Sequence, residues 1–280
     1  VQQLGQRDLE RVAHHSGAIG WYNVDCWRCF FETGTILGHV EEGEILSSAY
    51  VSNHSATLGW IGAFIVSSAV QRRGLGRELI AACVRLHDVT GLRLGLVSTI
   101  EGIRLYRDAG FIPVGSTHKL VTERGFSFGS LSHSSGIQLR DLETDDWPEI
   151  LALDSACVGA DRERLLRTQC AQGIGRLVAI DEARKLRGFV FGALDGDSGR
   201  LILGPIVSDT TELALALVGR MSTVWDGTMR IDVLGDQVTL ITALKERGFT
   251  LERECPVMTY GGAPLRFDAR YRALVAQALG

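Results

Sequence analysis

The sequence predicts an α/β fold of the α+β type, with two tandem mixed β-sheets that are each flanked by helices. Strand and helix patterns alternate along the 280 residues. Residues 58–66 are apolar almost throughout, which is typical of a central strand covered on both faces. Residues 206–208 resemble residues 65–67, and residues 245–249 resemble residues 107–111. This recurrence predicts a duplicated fold.

The first half begins with a helical pattern and then alternates strands with helices. A turn signal at residues 41–43 joins two strands into a hairpin. Apolar residues recur at helical spacing from Leu75 to Leu86, and Gly110 ends the next helix. In order, the patterns predict a helix over 6–16, strands over 35–40, 44–51 and 58–66, a helix over 77–88, a strand over 92–98, a helix over 102–109 and a strand over 117–123.

The second half follows a segment rich in Ser and Gly at residues 127–136, which is predicted to be a linker. The domains are therefore expected at 1–126 and 137–280. The later patterns predict a strand over 137–140, a helix beginning at 145–148, strands over 177–180, 188–193 and 201–207, a helix over 212–223, a strand over 229–233 and a helix over 238–247.

Composition narrows the function classes. The formal net charge of −4, without a basic stripe, argues against a nucleic-acid partner. No apolar run approaches the roughly 20 residues that a membrane span needs, so no membrane partner is expected. The chain start shows neither a basic region nor an apolar signal core, and a cytoplasmic protein is the expectation.

Six cysteines are present, of which Cys26 and Cys29 form a Cys-x-x-Cys pair. Such a pair can be a redox dithiol or half of a zinc site. No second Cys or His pair follows at metal-ligand spacing. We therefore expect a reduced pair on an amphipathic helix and no metal.

Residues 71–77, Gln-Arg-Arg-Gly-Leu-Gly-Arg, lie between the apolar strand and a helix. Gly74 and Gly76 allow the backbone to approach a ligand closely. The first amides of a helix lack internal partners, and the helix dipole favours negative charge there. Arginines within the loop add positive charge, so the segment is predicted to hold an anion such as a pyrophosphate. A dinucleotide fingerprint would need a third glycine where Leu79 stands, and a nucleoside-triphosphatase loop would need a Lys-Ser/Thr pair.

Gln-x-x-Gly-x-Gly in this position resembles the coenzyme A loop of GNAT acyltransferases. A second block, residues 96–111 with Tyr106 and the pair Gly110-Phe111, resembles the strand, helix and terminal Tyr-x-x-x-Gly-Phe of the same superfamily. The compatible order of elements extends to about residue 125. The second half is similar to the C-terminal domain of tandem GNAT proteins of the YitH/HolE-like type, with residues 210–213 in place of the glycine loop.

This resemblance implies that the first domain uses acetyl-CoA as co-substrate and moves the acetyl group to a primary amine of a small molecule by direct attack. Backbone groups of Ile65 and Val66 would pair with the pantetheine arm, and Tyr106 would protonate the departing thiolate. The residues that the resemblance assigns to coenzyme binding are Ile65, Val66, Gln71, Arg72, Arg73, Gly74, Leu75, Gly76, Arg77, Thr99, Gly102 and Tyr106.

The acceptor side is less defined by the resemblance. Thr99 and Gly102 stand where many family members have an Asn that helps to hold the coenzyme arm. A loop of three residues would line the acceptor, or pack as an ordinary loop: Trp21, Tyr22 and Asn23. The sequence does not reveal the general base, since the strand 58–66 carries no carboxylate. Three further residues could reach the pocket through water but are expected to be ordinary surface groups: Asp25, His39 and Glu44.

Other functions stay open at this point. A binding or sensor protein could hold acyl-CoA without turnover, and a longer-chain acyltransferase could use the same scaffold. The second half is expected to lack coenzyme binding and to wall off the acceptor pocket, because Glu212 at its helix start repels phosphate. Asp154, Asp161 and Arg162 could contact substrate or form a structural ion pair, and a homodimer is compatible with the sequence.

Overall fold

The computed structural model describes residues 1–21, 23–54, 57–88, 93–124, 128, 136–195, 198–261 and 265–280. Tyr22 and all of the predicted linker except Phe128 and Gly136 lie outside these residues. The elements of the first half are β1 (Gln2–Leu4), α1 (Leu9–Gly17), α2 (Val24–Thr33), β2 (Gly34–Glu41), β3 (Glu44–Asn53), β4 (Leu58–Val66), α3 (Leu75–Asp88), β5 (Arg93–Val97), α4 (Ile103–Asp108) and β6 (Ile112–Val121).

The second half repeats this order of strands and helices. Its elements are β7 (Ile137–Asp141), α5 (Trp147–Val158), α6 (Glu163–Gln172), β8 (Gly175–Asp181), β9 (Leu186–Asp195), β10 (Arg200–Ser208), α7 (Thr211–Met221), β11 (Met229–Leu234), α8 (Val238–Glu246), β12 (Thr250–Tyr260) and β13 (Tyr271–Ala273). The predicted strands and helices all correspond to elements of this set, and β4 has the predicted bounds. The α/β class with duplicated, helix-flanked sheets is confirmed.

The sheets of the two halves are joined into one, which the sequence patterns did not predict. The strand order is β1-β2-β3-β4-β5-β12-β6-β11-β13-β10-β9-β8-β7. β12 of the second half lies between β5 and β6, and β6 of the first half pairs with β11. The halves therefore exchange one strand each, so neither half completes its sheet from its own residues.

The internal repeat is confirmed by the local structure at both copies. α4 and α8 are each followed by a glycine with positive φ, 92° at Gly110 and 95° at Gly248. The residue after each glycine donates the same hydrogen bond. The amide of Phe111 donates to the carbonyl of Tyr106 at 3.0 Å, and the amide of Phe249 donates to the carbonyl of Leu244 at 3.1 Å. A positive φ favours glycine, which explains why Gly-Phe recurs. Leu244 consequently occupies the place of Tyr106 in the second copy.

Helices cover both faces of the sheet, and four hydrophobic clusters of described residues fill the space between helices and sheet. One cluster joins α3 and α4 to β4 and β5 around Tyr106 and Phe111. Another joins α1 and α2 to β4 and includes Leu165 of α6 and the C-terminal residues Val275 and Leu279. The two halves therefore share hydrophobic core as well as strands.

Candidate active site

The open side of β4 is the first part of the site. β4 and β5 pair in parallel from Leu58 and Arg93 to Ile61 and Leu96, and the pairing then stops. β4 continues to Val66, where the described residues pair with it on the β3 side alone. The backbone groups that this stretch of β4 directs away from β3 can therefore pair with an extended ligand, as in β-strand addition.

The glycine loop lies at the end of this open side. The carbonyl oxygen of Gly74 accepts hydrogen bonds from the amides of Arg77 at 2.9 Å and Glu78 at 3.2 Å. The amides of residues 72–76 have no hydrogen-bond partner among the described residues. Arg72 and Gly74 have positive φ of 65° and 91°, which turns successive amides towards one side. Such a concave run of amides at the N-terminus of the 14-residue helix α3 is suited to an anion.

The arginines of the loop differ in their surroundings. Arg72 and Arg77 line a cavity together with the loop glycines, whereas Arg73 is not among its lining residues. Arg73 is 3.5 Å from Glu41, and Arg77 is 3.8 Å from Asp108. These exposed pairs contribute little to stability, so Arg77 together with Arg72 can still act on an anion bound in the cavity.

Tyr106 lies beside the loop with its ring buried and its edge on the cavity. The ring makes edge-to-face contacts with Phe64 at 5.7 Å and Phe111 at 5.9 Å between centroids. Its hydroxyl has no hydrogen-bond partner among the described residues, although only 7% of the residue is exposed. Burial, with a smaller contribution from Cys83, raises the pKa of Tyr106, and the phenol therefore stays protonated at neutral pH.

Thr99 and Gly102 connect β5 to α4 at the rim of the cavity. The Thr99 hydroxyl accepts a hydrogen bond from the Gly102 amide at 3.3 Å, as a helix-capping residue does. A Cβ at Gly102 would lie 3.0 Å from the ring of Tyr106 and 3.1 Å from the Ser98 hydroxyl. The lack of a side chain at Gly102 thereby leaves space for the ring of Tyr106. Thr99 and Gly102 each have a local structural role in addition to lining the cavity.

The loop of residues 21–23 contributes one of its two described residues to the cavity. Trp21 lines it and packs on Trp27 and Phe30 with centroids 5.8 and 5.9 Å apart. Asn23 does not line it. Its buried side chain accepts a hydrogen bond from the amide of Cys26 at 2.9 Å and caps α2. This helix-capping role explains the position of Asn23 without any contact to an acceptor substrate.

A cavity of about 1160 Å³ contains the loop, the open side of β4 and Tyr106, and it extends into the second half. Its far wall includes charged and amide side chains that the sequence analysis did not select: Lys119, Asp195, Arg200, Arg230 and Gln277. They lie on strands distant in sequence and on the C-terminal segment. No local motif could have identified them, because only the strand exchange brings them to one place.

The corresponding opening in the second half is filled by the chain itself. β13 pairs with β10 at Ile206 and with β11 at Val233, each through Ala273. It thus occupies the position that an extended ligand would take between these strands. In place of the glycine loop, the Thr210 hydroxyl accepts a hydrogen bond from the Leu213 amide at 3.1 Å. Within the part of the second half that the structure describes, the opening between β10 and β11 is therefore occupied and no glycine loop precedes α7.

The cysteine pair lies on α2 as predicted. Burial raises the pKa of both thiols, to about 11 for Cys29 and well above the usual value for Cys26. Raised values favour the unreactive thiol over the thiolate. Among the described residues, no group of three His, Cys, Asp or Glu side chains is arranged to hold a metal ion. His39, one of the weighed bases, is hydrogen-bonded to Ser47 and Glu78 and does not line the cavity.

None of the helices described here is both long and apolar enough to cross a membrane.

An open parallel strand pair followed by a glycine loop at a helix start, as in the first half, is typical of the GNAT fold, and the second half repeats the order of elements without that loop. Residues 6–111 match the acetyltransferase (GNAT) family model, and residues 150–271 match a second acetyltransferase (GNAT) domain model. The chain is 30% identical over 283 aligned residues to the uncharacterized N-acetyltransferase YitH of Bacillus subtilis, covering 99% of this chain and 97% of that protein. The chain belongs to the GNAT acetyltransferases and carries two GNAT domains in tandem.

Solved structures share the fold over the full length. A putative acetyltransferase from Pyrococcus horikoshii superposes with a TM-score of 0.79 at 18% identity, covering 100% of this chain and 95% of that one. A tandem GNAT protein from the clavulanic acid biosynthesis pathway has a TM-score of 0.69 at 12% identity, with 94% and 98% covered. At these identities the likeness shows the arrangement of the domains alone.

Proposed function

We propose that the first domain binds acetyl-CoA and transfers its acetyl group to a primary amine of a small molecule by direct attack. The observation that carries this proposal is the cavity in which the open side of β4, the unpaired amides of residues 72–76 and the Tyr106 hydroxyl meet. The fit is good, because an extended amide arm needs an open strand and a pyrophosphate needs free N–H donors.

Each residue has a separate task in this proposal. Backbone groups at Ile65 and Val66 orient the arm, and the loop amides with Arg72 and Arg77 hold the pyrophosphate. Acetyl-CoA supplies a thioester, whose C–S bond breaks as the amine nitrogen bonds to the acetyl carbon. Tyr106, kept protonated by burial, donates its proton to the departing sulfur. The acceptor's ammonium must first lose a proton, which passes to water in this proposal.

The second domain has a different proposed task, since β13 fills its opening. We expect one acetyl-CoA site per chain, measured by calorimetric titration of acetyl-CoA into the intact protein. Two sites per chain would contradict the proposed division of tasks. Failure to bind at millimolar ligand would remove the acetyltransferase proposal. Binding without release of the free coenzyme thiol to any primary amine would leave a sensor protein instead. A cytoplasmic location, and the absence of metal, nucleic-acid and membrane partners, stay predictions.

Substitution of Gly76 by Asp tests the loop. A Cβ at Gly76 meets Leu105 at 3.5 Å and Val66 at 3.8 Å, which are ordinary contacts, so the fold is expected to tolerate it. The added carboxylate would stand within the loop that is proposed to hold the pyrophosphate. We expect affinity for acetyl-CoA to fall about a hundredfold or more, because like charges repel strongly in a partly enclosed site.

The matched control is Gly5→Asp, which adds the same charge where nothing lies within 4 Å. Its affinity for acetyl-CoA is expected to equal that of the unchanged protein. Retention of affinity in the Gly76 variant would show that the loop does not hold the coenzyme.

A further inference from the structure

A cluster of six charged side chains lies on β6, β12 and the neighbouring strands β9, β10 and β11, and we name it the charged cluster. Its members are Lys119, Asp195, Arg200, Arg230, Asp232 and Glu252. Arg230 and Asp232 are joined by two hydrogen bonds of 2.8 and 3.2 Å, and Asp232 is fully buried. Glu252 is shared by Lys119 at 2.6 Å and Arg200 at 2.7 Å.

The charged cluster faces the same cavity as the coenzyme loop. Four members line it: Lys119, Asp195, Arg200 and Arg230. Cys26 of α2 connects the two regions. It packs in the hydrophobic cluster that contains Ile65, and its thiol is close enough to Asp195 and Arg230 for their charges to affect its pKa. The charged cluster therefore lies on the same cavity as the glycine loop, with Cys26 of α2 near the charges of Asp195 and Arg230.

Two groups in this region have hydrogen-bonding capacity that the described residues do not use. Among the described residues, no side chain or amide hydrogen-bonds to the Asp195 carboxylate, and its nearest cation there is Arg230 at 3.6 Å. The buried Gln277 Nε2 has no hydrogen-bond partner, and Gln277 lines the cavity. Gln277 is held in place by its backbone, since its carbonyl accepts from Trp60 Nε1 at 3.0 Å and its amide lies 3.3 Å from Asp232 Oδ2. A buried donor without a partner costs free energy unless a ligand satisfies it.

The balance of charge indicates what kind of ligand fits. Three cations and three anions make the charged cluster neutral overall. A ligand that is only a cation or only an anion would leave one charge uncompensated in a partly buried site. A ligand that carries both charges keeps the balance.

We propose that the charged cluster and Gln277 form the acceptor site, and that the acceptor is a zwitterion of the α-amino-acid type. Asp195 binds the ammonium group before it loses its proton. Arg200 and Gln277 Nε2 donate to the carboxylate, Arg200 through N–H groups that its bond to Glu252 leaves available. The second domain thus supplies substrate specificity, and this inference rests on the function proposed above.

The test compares amines that differ in charge. With acetyl-CoA as donor, α-amino acids are offered beside their methyl esters and the corresponding decarboxylated amines, and release of the coenzyme thiol is followed. We expect kcat/KM for at least one amino acid to exceed that of its ester and amine by about tenfold or more, because the ester and the amine lack charged hydrogen bonds that the amino acid makes.

Asp195→Asn and Arg200→Gln examine the two ends of the site. Asp195→Asn is expected to lower kcat/KM for the preferred amino acid about ten- to a hundredfold, chiefly through KM, with affinity for acetyl-CoA unchanged. Arg200→Gln is expected to reduce the preference for the amino acid over its ester. The control is Glu163→Gln, which removes an exposed carboxylate on α6 outside this cavity.

The outcomes separate the two proposals. If the unchanged protein does not bind acetyl-CoA, the proposed function is wrong, and this inference is wrong with it. Binding of acetyl-CoA together with equal use of amines that lack a carboxylate contradicts the zwitterion alone. Full activity of the Asp195 variant towards the preferred amino acid shows that this carboxylate does not hold the acceptor.

Discussion

Replacement of Tyr106 by phenylalanine is expected to lower turnover by about ten- to a thousandfold while affinity for acetyl-CoA stays nearly unchanged. The substitution removes the hydroxyl alone. The ring contacts with Phe64 and Phe111 are kept, so the packing of α4 is preserved. No described residue loses a hydrogen bond with the hydroxyl, and thermal stability should change little. The loss should fall on kcat, because the proton is needed only when the C–S bond breaks.

A neighbouring tyrosine provides the control. Tyr260 on β12 packs on Phe111 at 5.3 Å between centroids and does not line the cavity. Tyr260→Phe is expected to keep turnover close to that of the unchanged protein. Steady-state kinetics and calorimetry on both variants decide the matter. If Tyr106→Phe turns over normally, Tyr106 is not the acid, and the proton reaches sulfur from water.

Substitution of Asp154 by asparagine is expected to lower the free energy of unfolding by about 3–5 kcal/mol. The side chains of Asp154 and Arg162 are 1% and 0% exposed, and two hydrogen bonds of 2.6 and 3.0 Å join them. Arg162 also donates to the Tyr271 hydroxyl at 2.9 Å and the Gly280 carbonyl at 3.0 Å. Without Asp154, its charge would be buried and uncompensated. The ion pair of Asp154 and Arg162 thus holds the C-terminal segment in place. Its buried position does not support the other hypothesis from the sequence, in which these residues contact substrate.

Denaturant unfolding monitored by tryptophan fluorescence measures this effect. Glu163→Gln removes the carboxylate of an exposed pair with Arg167 on α6 and is expected to cost at most about 0.5 kcal/mol. Replacing both buried partners, Asp154→Leu with Arg162→Met, should recover part of the loss, because no lone charge remains. Equal stability of Asp154→Asn and the unchanged protein would show that Arg162 is compensated by its other partners.

The sequence by itself determined the local features of this protein. The apolar run of β4, the glycines of the loop and the Gly-Phe turns after α4 and α8 each follow from residues close together in the chain. Steric freedom at glycine and the periodicity of burial act over a few residues, so such features can be predicted from sequence. The resemblance to GNAT acyltransferases depended on these same segments, and for that reason the family was identified correctly.

Only the tertiary structure decided how the two copies are combined. The exchange of β6 and β12, the filling of the second opening by β13 and the assembly of the charged cluster join residues far apart in sequence. Asp195, Arg230 and Gln277 have no motif in common, and each has an ordinary local environment in the sequence. The physical reason is that strand pairing is specified by complementary packing across the whole sheet, whereas the alternation along one strand shows which face is buried and not which strand lies beside it.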